Sequence, residues 1–323
     1  MSKNKGKKRD KNDYFTIAFY NLENLFDTQD DIHTRDDDFL PDSARRWTNK
    51  RYQKKIRKLG YTIAQIGVKS TKKLPVIVGL AEVENQTVVE DLLESKFLKE
   101  HNFDLVHYDS PDERGIDTAL IFNKDHFQVT ASEIYGIELY DEDGSRDHTR
   151  DILYVKGILH NEHIHILVNH WPSRRDGAEE SENKRLTASN KLLEAIANIK
   201  SEDPEAKIIV MGDFNDDPKC KSIKQLVNNE DLYNPMESLI SYFRGSTNHR
   251  SNWNLFDQIL FSTNFFEYGP EKHSFSRANI FDKHFLKQFK GKYKGNPFRT
   301  YVGLKYKGGY SDHFPVYLLL KKG

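Results

Sequence analysis

The chain has 323 residues, of which 37% are hydrophobic and 12% aromatic, which is enough apolar sequence for one large domain or two small ones. Lys and Arg total 49 and Asp and Glu total 49, so binding to a polyanion would depend on local patches rather than on overall charge. The single cysteine, Cys220, excludes an internal disulfide framework and a cysteine-ligated zinc cluster.

The amino-terminal residues are basic and lack the apolar core of a signal peptide. Residues 1–13 contain five lysines and one arginine, which predicts a disordered basic arm that is either a solvated tail or a contact for nucleic acid. No apolar stretch approaches the length of a transmembrane segment. We therefore expect a cytoplasmic protein with no obligate protein partner, with export left open if a leader segment precedes this sequence.

Two early strands are predicted to end in polar side chains. The first apolar run, residues 15–20, is followed by Asn21. The second, residues 76–81, is followed by Glu82 and then by Glu84. A carboxylate at the end of a buried strand costs desolvation energy unless a cation meets it, and a divalent metal ion is the commonest such cation.

Helices and further short strands are predicted around these two. Residues 45–66 place apolar side chains at helical spacing and fill the other face with Lys and Arg, including Lys55. This pattern predicts an amphipathic helix with a solvated basic face. Further helices are predicted at 87–98 and 181–199. Further strands are predicted at 104–108, 118–122, 127–131, 152–159, 163–169, 259–261 and 315–320.

Several polar residues beside the middle strands are candidates for contact with a substrate. Residues 111–117 place Arg114 and Asp117 at the entrance of a strand, although an ordinary polar hairpin would explain the same sequence. Arg150 lies just before the strand at 152–159, from which it can point into a cleft.

The strand at 163–169 is followed by His170, Trp171 and Arg174. A single histidine at the end of a strand is usually an ordinary polar residue. Here it is followed by Trp-Pro-Ser-Arg-Arg, and these side chains together can hold a phosphate through charge-assisted hydrogen bonds.

The next buried strand, residues 207–211, ends in a glycine and then presents Asp213 and Asn215. In α/β sheets, ligands commonly bind outside the carboxyl ends of the strands. An Asx turn that closes the strand through local hydrogen bonds is the alternative.

The last third of the chain adds three further candidates. Asp257 begins a strand, and Asp312 and His313 directly precede the final strand. Residues 281–309 are rich in Lys, Arg, Phe, Tyr and Gly, which suits a loop that faces phosphates and offers aromatic platforms, or a solvated surface loop. No linker or internal repeat divides the sequence, so residues 14–321 are predicted to form one domain.

Together the strand ends carry carboxylates, amides and imidazoles but no thiolate, at Asn21, Glu82, His170, Asp213, Asn215, Asp257, Asp312 and His313. This set suits Mg²⁺ or Mn²⁺, with Ca²⁺ in a supporting role. Such an ion polarises a phosphoryl oxygen while a nearby carboxylate orients or deprotonates water, which indicates phosphoester hydrolysis. Serine-nucleophile chemistry fits poorly because the sequence has no Gly-x-Ser-x-Gly elbow.

Seven segments resemble, in the same order, the signature blocks of the endonuclease/exonuclease/phosphatase superfamily, which includes deoxyribonucleases, apurinic-site endonucleases, neutral sphingomyelinases and inositol-polyphosphate 5-phosphatases. The segments are YNLEN at 20–24, GLAEVEN at 79–85, RGIDTALIF at 114–122, NHWPSR at 169–174, GDFND at 212–216, FDQILFS at 256–262 and GGYSDHFPV at 308–316. The resemblance implies an α/β fold: a four-layer α/β/β/α sandwich in which two mixed β-sheets pack face to face, with a cleft at one edge.

The resemblance also implies roles for the residues at the strand ends. Glu82 would be the principal metal ligand, with Asn21 beside it, and Asp312 would help or would bind a second ion. Asp213 would orient or deprotonate the attacking water, and Asn215 would position that water and the phosphate.

The two histidines and the peripheral residues are assigned by the same resemblance. His313 would contact the scissile phosphate and be oriented by Asp257, and His170 matches a histidine of deoxyribonucleases and sphingomyelinases. Glu23 matches an acid that supports the metal site in some members. The substrate-facing candidates are Arg114, Asp117, Arg150, Trp171 and Arg174.

The signature blocks do not name the substrate. The basic and aromatic residues around Arg174 and in residues 281–309 favour a nucleic-acid backbone, so the sequence predicts a nuclease-like phosphodiesterase. A phosphatase or phosphodiesterase acting on a small phosphoester or phospholipid headgroup is the alternative. A non-catalytic nucleic-acid-binding module is a more remote one, because Glu82, Asp213 and His313 are all present.

Overall fold

The computed structural model describes residues 13–141, 143–174, 177, 179, 181–229 and 231–323. Residues 1–12, which make up nearly all of the predicted basic arm, lie outside the described residues, and the boundary of the domain at residue 14 stays a prediction. None of the described helices is long and apolar enough to cross a membrane.

The α-helices are α1 Asn49–Ile63, α2 Val68–Thr71, α3 Gln86–Leu93, α4 Glu182–Glu202 and α5 Lys221–Asn229. The strands are β1 Tyr14–Leu25, β2 Ile77–Val83, β3 Phe103–His107, β4 Asp117–Asn123, β5 Phe127–Tyr135, β6 Leu139–Tyr140, β7 Arg146–Asp147, β8 Ile152–Leu159, β9 Glu162–His170, β10 Ile208–Asp213, β11 Leu232–Tyr233, β12 Thr247–His249, β13 Asn252–Asn254, β14 Asp257–Ser262, β15 His273–Ile280, β16 Tyr301–Val302, β17 Lys305–Tyr306 and β18 Val316–Lys322. Short 3₁₀ helices cover Asp37–Phe39, Pro235–Ser238, Thr263–Phe266 and His284–Leu286.

Two six-stranded mixed sheets form the body of the protein, with strand orders β15-β18-β1-β2-β4-β3 and β11-β14-β10-β9-β8-β5. In the first sheet β1 and β2 are parallel, and in the second β9 and β10 are parallel. The other neighbours within both sheets are antiparallel. Each sheet therefore has a parallel pair near its centre, flanked by antiparallel strands.

The inner faces of the two sheets pack on each other to form the larger core. Gly79 on β2 shows how close they are, because a Cβ atom there would lie 2.5 Å from the sulfur of Met211 on β10. Helices α1 and α3 add apolar side chains to this core from outside the first sheet. Helices α4 and α5 cover the outer face of the second sheet with a smaller core. The predicted four-layer α/β/β/α fold is thus confirmed.

Some predicted element boundaries change in the structure. Helix α1 begins at Asn49 rather than 45, because Arg46 takes a left-handed backbone conformation with φ of 52°. Strand β1 continues through the polar residues after Tyr20 as far as Leu25, with a shift in its register against β2. Helix α5 and strand β15 were not predicted. Helix α5 does carry a signal, because Ile223, Leu226 and Val227 recur at helical spacing, whereas the sequence of β15 does not alternate apolar and polar residues.

The prediction that Lys55 lies on a solvated face of α1 is wrong. Its side chain is only 2% exposed, and the ammonium group donates to the backbone oxygen of Glu23 at 2.9 Å and to Thr300 Oγ1 at 2.6 Å. Its Nζ also lies 3.7 Å from Glu23 Oε2. Lys55 is therefore a buried cation that links α1 to β1 and to the loop before β16.

A polar cluster closes the edge of the sheets where β9 and β15 begin, and we call Glu162 with Lys207 and His273 the Glu162 cluster. Glu162 Oε2 accepts hydrogen bonds from the backbone N–H of His273 at 2.8 Å and from its Nδ1 at 2.9 Å. Lys207 Nζ lies 2.7 Å from Glu162 Oε1. Burial by itself would raise the pKa of Glu162, but these hydrogen bonds lower the pKa to about 2.

Candidate active site

The polar residues predicted at strand ends meet at one edge of the two sheets. The carboxyl ends of the parallel strands β1 and β2, and of β9 and β10, point the same way, and their antiparallel neighbours β4, β14 and β18 begin at that edge. Asp213 at the end of β10 pairs in register with His170 on one side and Asp257 on the other. Strand pairing alone therefore places three of the candidate residues in one row.

Asp213 lies at the centre of this group and is 2% exposed. Its Oδ2 accepts a hydrogen bond from Asn21 Nδ2 at 3.0 Å and lies 3.9 Å from His170 Nε2 and 3.8 Å from His313 Nε2. Its Oδ1 accepts from the backbone N–H of Asn215 at 3.0 Å. Burial raises the pKa of Asp213 against the opposing effect of His313.

Glu82 stands on the other side of Asn21. The backbone of Glu82 has a positive φ of 60°, which is a strained conformation for a non-glycine residue. This conformation turns the carboxylate into the site where β2 ends. Glu82 Oε1 accepts from Asn21 Nδ2 at 3.2 Å and lies 3.9 Å from His170 Nε2. Its Oε2 accepts from the backbone N–H of Asn24 at 2.8 Å.

The amide of Asn21 thus donates to both the Glu82 and the Asp213 carboxylates, in the place between two anions where a cation would be favoured. The side chains of Asn21, Glu82 and Asp213 suit a hard divalent ion. Their possible ligand atoms are oxygens held at the ends of rigid strands, and they include no sulfur. The Asn21 amide oxygen accepts from the backbone N–H of Glu23 at 2.9 Å, so the amide would have to give up this hydrogen bond to turn its oxygen toward such an ion. Asp213, Asp257 and His313 also bring ligand atoms within 4.8 Å of one another.

The side chain of His313 contacts the carboxylate of Asp257. His313 Nδ1 donates to Asp257 Oδ2 at 2.7 Å, and Asp257 is fully buried. Burial by itself would lower the pKa of His313, but Asp257 and then Asp213 raise it well above its usual range. The neighbouring carboxylates thus favour the cationic imidazole, and the hydrogen bond to Asp257 leaves Nε2 directed toward Asp213.

Asp312 contacts a second charged network. Arg299 donates to Asp312 through Nη2, and its Nε lies 3.6 Å from Glu23 Oε1. Glu23 Oε2 in turn accepts from the backbone N–H of Thr300 at 2.6 Å and pairs with Lys55. The sequence reasoning did not single out Arg299, Thr300 or Lys55 for the site, and only Lys55 carries a signal, because it interrupts an apolar row of α1.

The residues after β9 mainly contact one another and the backbone next to the site. The Trp171 side chain is fully buried, and its backbone oxygen accepts from Asn215 Nδ2 at 2.9 Å and from Arg150 Nη2 at 2.7 Å. Arg174 pairs with Asp216 at 2.6 Å and donates to the backbone oxygen of Asn215 at 2.7 Å. Asp216 therefore holds Arg174 in place beside Asn215. Contacts of Trp171, Arg150 and Arg174 with substrate stay predictions.

Arg114 and Asp117 lie on the side of the site nearest Glu82. Arg114 Nη2 donates to Asn24 Oδ1 at 2.7 Å, while Asn24 contacts Glu82 through its backbone. Asp117 is buried at the start of β4, where its carboxylate contacts His107 Nε2 at 3.1 Å and accepts from the backbone N–H of Ser110 at 2.9 Å. Their roles toward substrate also stay predictions.

Comparison with known proteins matches both the sequence and the fold. The family model described as "Endonuclease/Exonuclease/phosphatase family" matches residues 16–322. The structure of an endonuclease/exonuclease/phosphatase family protein from Bacteroides thetaiotaomicron aligns with a TM-score of 0.59 and 15% identity, covering 96% of this chain and 95% of that one. Comparison of the sequence with curated proteins gave no match.

Two further solved structures carry more specific names. Truncated TDP2 of Caenorhabditis elegans aligns with a TM-score of 0.58 and 13% identity, covering 95% of this chain and 97% of that one. A mannosyl-6-phosphatase of Bacteroides thetaiotaomicron aligns with a TM-score of 0.58 and 16% identity, covering 95% and 99%. At these identities the likeness establishes a shared fold. The family match, which spans nearly the whole chain, confirms the resemblance found in the sequence.

Proposed function

We propose, on the premise that this chain belongs to the endonuclease/exonuclease/phosphatase family, that it is a divalent-metal-dependent phosphodiesterase that cleaves a nucleic-acid backbone. The observation that carries the proposal is the convergence on Asp213 Oδ2, which has the Asn21 amide and the His170 and His313 imidazoles within 3.9 Å. Hydrolysis of phosphoesters is the chemistry that suits the family and this set of side chains.

Glu82 and Asn21 are the residues proposed to hold the metal ion, with Mg²⁺ as the proposed ion and Mn²⁺ as a substitute. Asp312 would assist or hold a second ion. When bound, the ion would polarise a phosphoryl oxygen and stabilise the developing negative charge of the leaving group.

The remaining chemistry is proposed for side chains of the chain itself. Asp213 would accept the proton of the attacking water, because its buried carboxylate has a raised pKa and so binds a proton more readily than an exposed one. His313, kept cationic by Asp257, would donate a hydrogen bond to a non-bridging phosphate oxygen. Asn215, fixed by Trp171 O, would position the water and the phosphate.

A nucleic acid is favoured as the substrate by the loop that borders the site. Residues 281–309 contain eight Lys and Arg residues and a single acid, Asp282. This loop also exposes Phe289 and Tyr293, and Arg299 attaches it to Asp312. Repeated phosphates and stackable bases complement such a surface.

A phosphatase or phosphodiesterase acting on a small phosphoester is the second candidate, because the solved structures with this fold include one named mannosyl-6-phosphatase. The basic loop alone does not exclude such a substrate, since one phosphate needs few of its cations. A phospholipid headgroup would fit the same centre. The candidates therefore differ in what surrounds the phosphate rather than in how it is hydrolysed.

Purified protein tests the proposal with plasmid DNA, RNA, inositol phosphates, sphingomyelin, a hexose 6-phosphate and bis-p-nitrophenyl phosphate, each with Mg²⁺, Mn²⁺ or a chelator. We expect metal-dependent cleavage of DNA or RNA and at least a 100-fold loss in Asp213→Ala, on the order of the effect of a general base. Glu271→Gln is the matched control, because this acid lies at the opposite edge and pairs only with Lys322 and Asn161 in the described chain.

Two results would contradict parts of the proposal. Higher turnover of a phosphomonoester than of every polymer would replace the nuclease with a phosphatase. DNA binding without turnover, identical in wild type and Asp213→Ala, would instead indicate a non-catalytic binding module.

A further inference from the structure

The turn formed by Ser241, Tyr242, Phe243 and Arg244 exposes two adjacent aromatic side chains, and we call it the aromatic turn. Tyr242 is 83% exposed and Phe243 is 81% exposed, which makes them two of the most exposed large hydrophobic residues of the described chain. Their ring centroids lie 4.9 Å apart with the planes at 85°. In this edge-to-face arrangement, at least one face of each ring remains open to a further ring.

The backbone and the flanking side chains hold the aromatic turn in place. The N–H of Ser241 donates to the oxygen of Arg244 at 2.9 Å, and the N–H of Arg244 donates back to the oxygen of Ser241 at 3.2 Å. Arg244 Nη2 donates to Asn279 Oδ1 at 2.7 Å and to the oxygen of Ile280 at 3.0 Å. Arg244 also pairs with Asp282 at 3.2 Å. The two rings are thus presented by an anchored turn.

A short segment connects the aromatic turn to Thr247, which pairs with His313. Three residues after Phe243, Ser246 accepts the backbone N–H of Phe314 at 2.7 Å through its oxygen and the N–H of Asp257 at 3.2 Å through Oγ. Thr247, the next residue, forms a β-bridge with His313. The four residues from Phe243 to Thr247 span at most about 14 Å, so the rings lie within a few nucleotide steps of the phosphate that His313 would contact.

Gly245 makes the approach of the turn to this edge possible. A Cβ atom at this position would lie 2.2 Å from the backbone oxygen of Asn254 on β13. The N–H of Ser246 donates to that same oxygen at 2.8 Å. The segment therefore packs backbone against backbone next to the site, and its two largest side chains are directed outward.

We propose that Tyr242 and Phe243 form a stacking platform for an unpaired base next to the scissile phosphate, so that the enzyme acts on single-stranded or frayed nucleic acid. This inference rests on the proposed function and adds, on a different segment from the basic loop, a contact for the base nearest the scissile phosphate. Aromatic rings stack on every base, whereas bases within an intact duplex are already stacked on one another.

The charge around the aromatic turn supports a nucleic-acid occupant. Asp282, which anchors Arg244, begins the loop of residues 281–309, in which basic residues outnumber acids by seven. Asp282 is itself neutralised by Arg244 and by Lys287, whose Nζ lies 2.9 Å from it. The rings therefore border a surface with excess positive charge, which complements a strand of phosphates.

The test compares two oligonucleotides with the same phosphate backbone, one of thymidine and one of base-free deoxyribose units. For Tyr242→Ser/Phe243→Ser we expect KM for the thymidine strand to rise about 10-fold, as for the loss of a base–aromatic stack. We expect cleavage of the base-free strand to be unchanged. Tyr268→Ser is the matched control, because Tyr268 is also exposed, at 66%, but lies beyond the far end of β14.

A second readout does not depend on turnover. A single-stranded oligonucleotide containing 2-aminopurine, bound in the presence of chelator, should lose fluorescence on wild type and on Tyr268→Ser but not on Tyr242→Ser/Phe243→Ser. Equal quenching by all three proteins, or an equal loss of activity on both strands, would overturn the stacking role.

The remaining outcomes separate this inference from the proposed function. The inference would be overturned in favour of a lipid surface by one pair of results. The protein would bind phosphatidylserine/phosphatidylcholine vesicles only when Tyr242 and Phe243 are present, and wild type and Tyr242→Ser/Phe243→Ser would act equally on oligonucleotides. Failure of the wild type to cleave either strand, together with failure to cleave RNA, would refute the nuclease proposal itself. If the wild type cleaves no polymer, but 2-aminopurine fluorescence is still quenched by wild type and Tyr268→Ser and not by Tyr242→Ser/Phe243→Ser, the aromatic turn would remain a binding site for bases.

Discussion

Lys55→Met should destabilise the protein strongly, although the position lies on a helix rich in surface lysines. Methionine keeps an apolar stem of similar length but removes the ammonium group that lies 3.7 Å from the Glu23 carboxylate and donates to Thr300. Removing one partner of a buried ion pair costs about 3–5 kcal/mol, because the other charge stays buried without compensation. We therefore expect a loss of about 4 kcal/mol in the free energy of unfolding at pH 8.

The size of the loss should depend on pH. Burial, and then Asp312, already raise the pKa of Glu23 to about 7, and loss of Lys55 would raise it further. A carboxyl whose folded pKa lies above its unfolded value destabilises the fold increasingly as pH rises between the two values. The deficit of Lys55→Met should therefore be smaller at pH 5, where Glu23 binds a proton, than at pH 8.

Urea unfolding followed by far-ultraviolet circular dichroism at both pH values measures these differences. Lys50→Met is the control, because Lys50 is exposed in the first turn of the same helix and its replacement should change stability by less than about 0.5 kcal/mol. The double variant Glu23→Gln/Lys55→Met should recover part of the loss. A deficit below about 1 kcal/mol, or strictly additive effects of the two substitutions, would refute the assignment of a buried ion pair.

Three further predictions concern the site and the opposite edge. Asp257→Asn should lower the pKa of His313 and reduce kcat about 10- to 100-fold, as for loss of an orienting carboxylate, which a pH–rate profile would detect. Glu162→Gln should remove stability on the order of 3 kcal/mol, the equivalent of lowering the pKa from 4.5 to about 2. That contribution is present above pH 4.5 and is lost as the pH falls toward 2, so acid unfolding of wild type and variant should converge there. Gly212→Ala should reduce both thermal stability and turnover, because its Cβ atom would lie 2.3 Å from the backbone oxygen of Asn169.

The main strands and the candidate site could be predicted because each depends on local sequence. Apolar runs that end in polar residues identified β1, β2, β9 and β10, and the resemblance implied two packed mixed sheets, whereas the structure supplies which strands pair. The pairing Asp213–Asp257 and Asp213–His170 follows once β10 lies between β9 and β14. What the sequence cannot supply is which of several nearby groups a long side chain will contact.

Lys55 and Arg299 differ in whether the sequence could have predicted their place in the structure. Lys55 follows Tyr52 by three residues and precedes Leu59 by four, so it lies in the apolar row of α1 and its burial could have been expected. Arg299 lies in a loop with seven other basic residues, and nothing in its sequence context distinguishes it from them. Only the approach of that loop to β18 assigns it to Asp312.

The partners of the predicted substrate residues indicate how the site is kept rigid. Arg150 and Asn215 both donate to the backbone oxygen of Trp171, and the N–H of Trp171 donates to the oxygen of Asp213 at 2.9 Å. This backbone directly follows His170, so the imidazole and the carboxylate are positioned by one set of hydrogen bonds. A phosphoryl-transfer site depends on fixed dipoles and charges, because they need not reorganise when charge develops in the transition state. Substitution of Arg150 should therefore reduce kcat even for a substrate too small to reach its side chain.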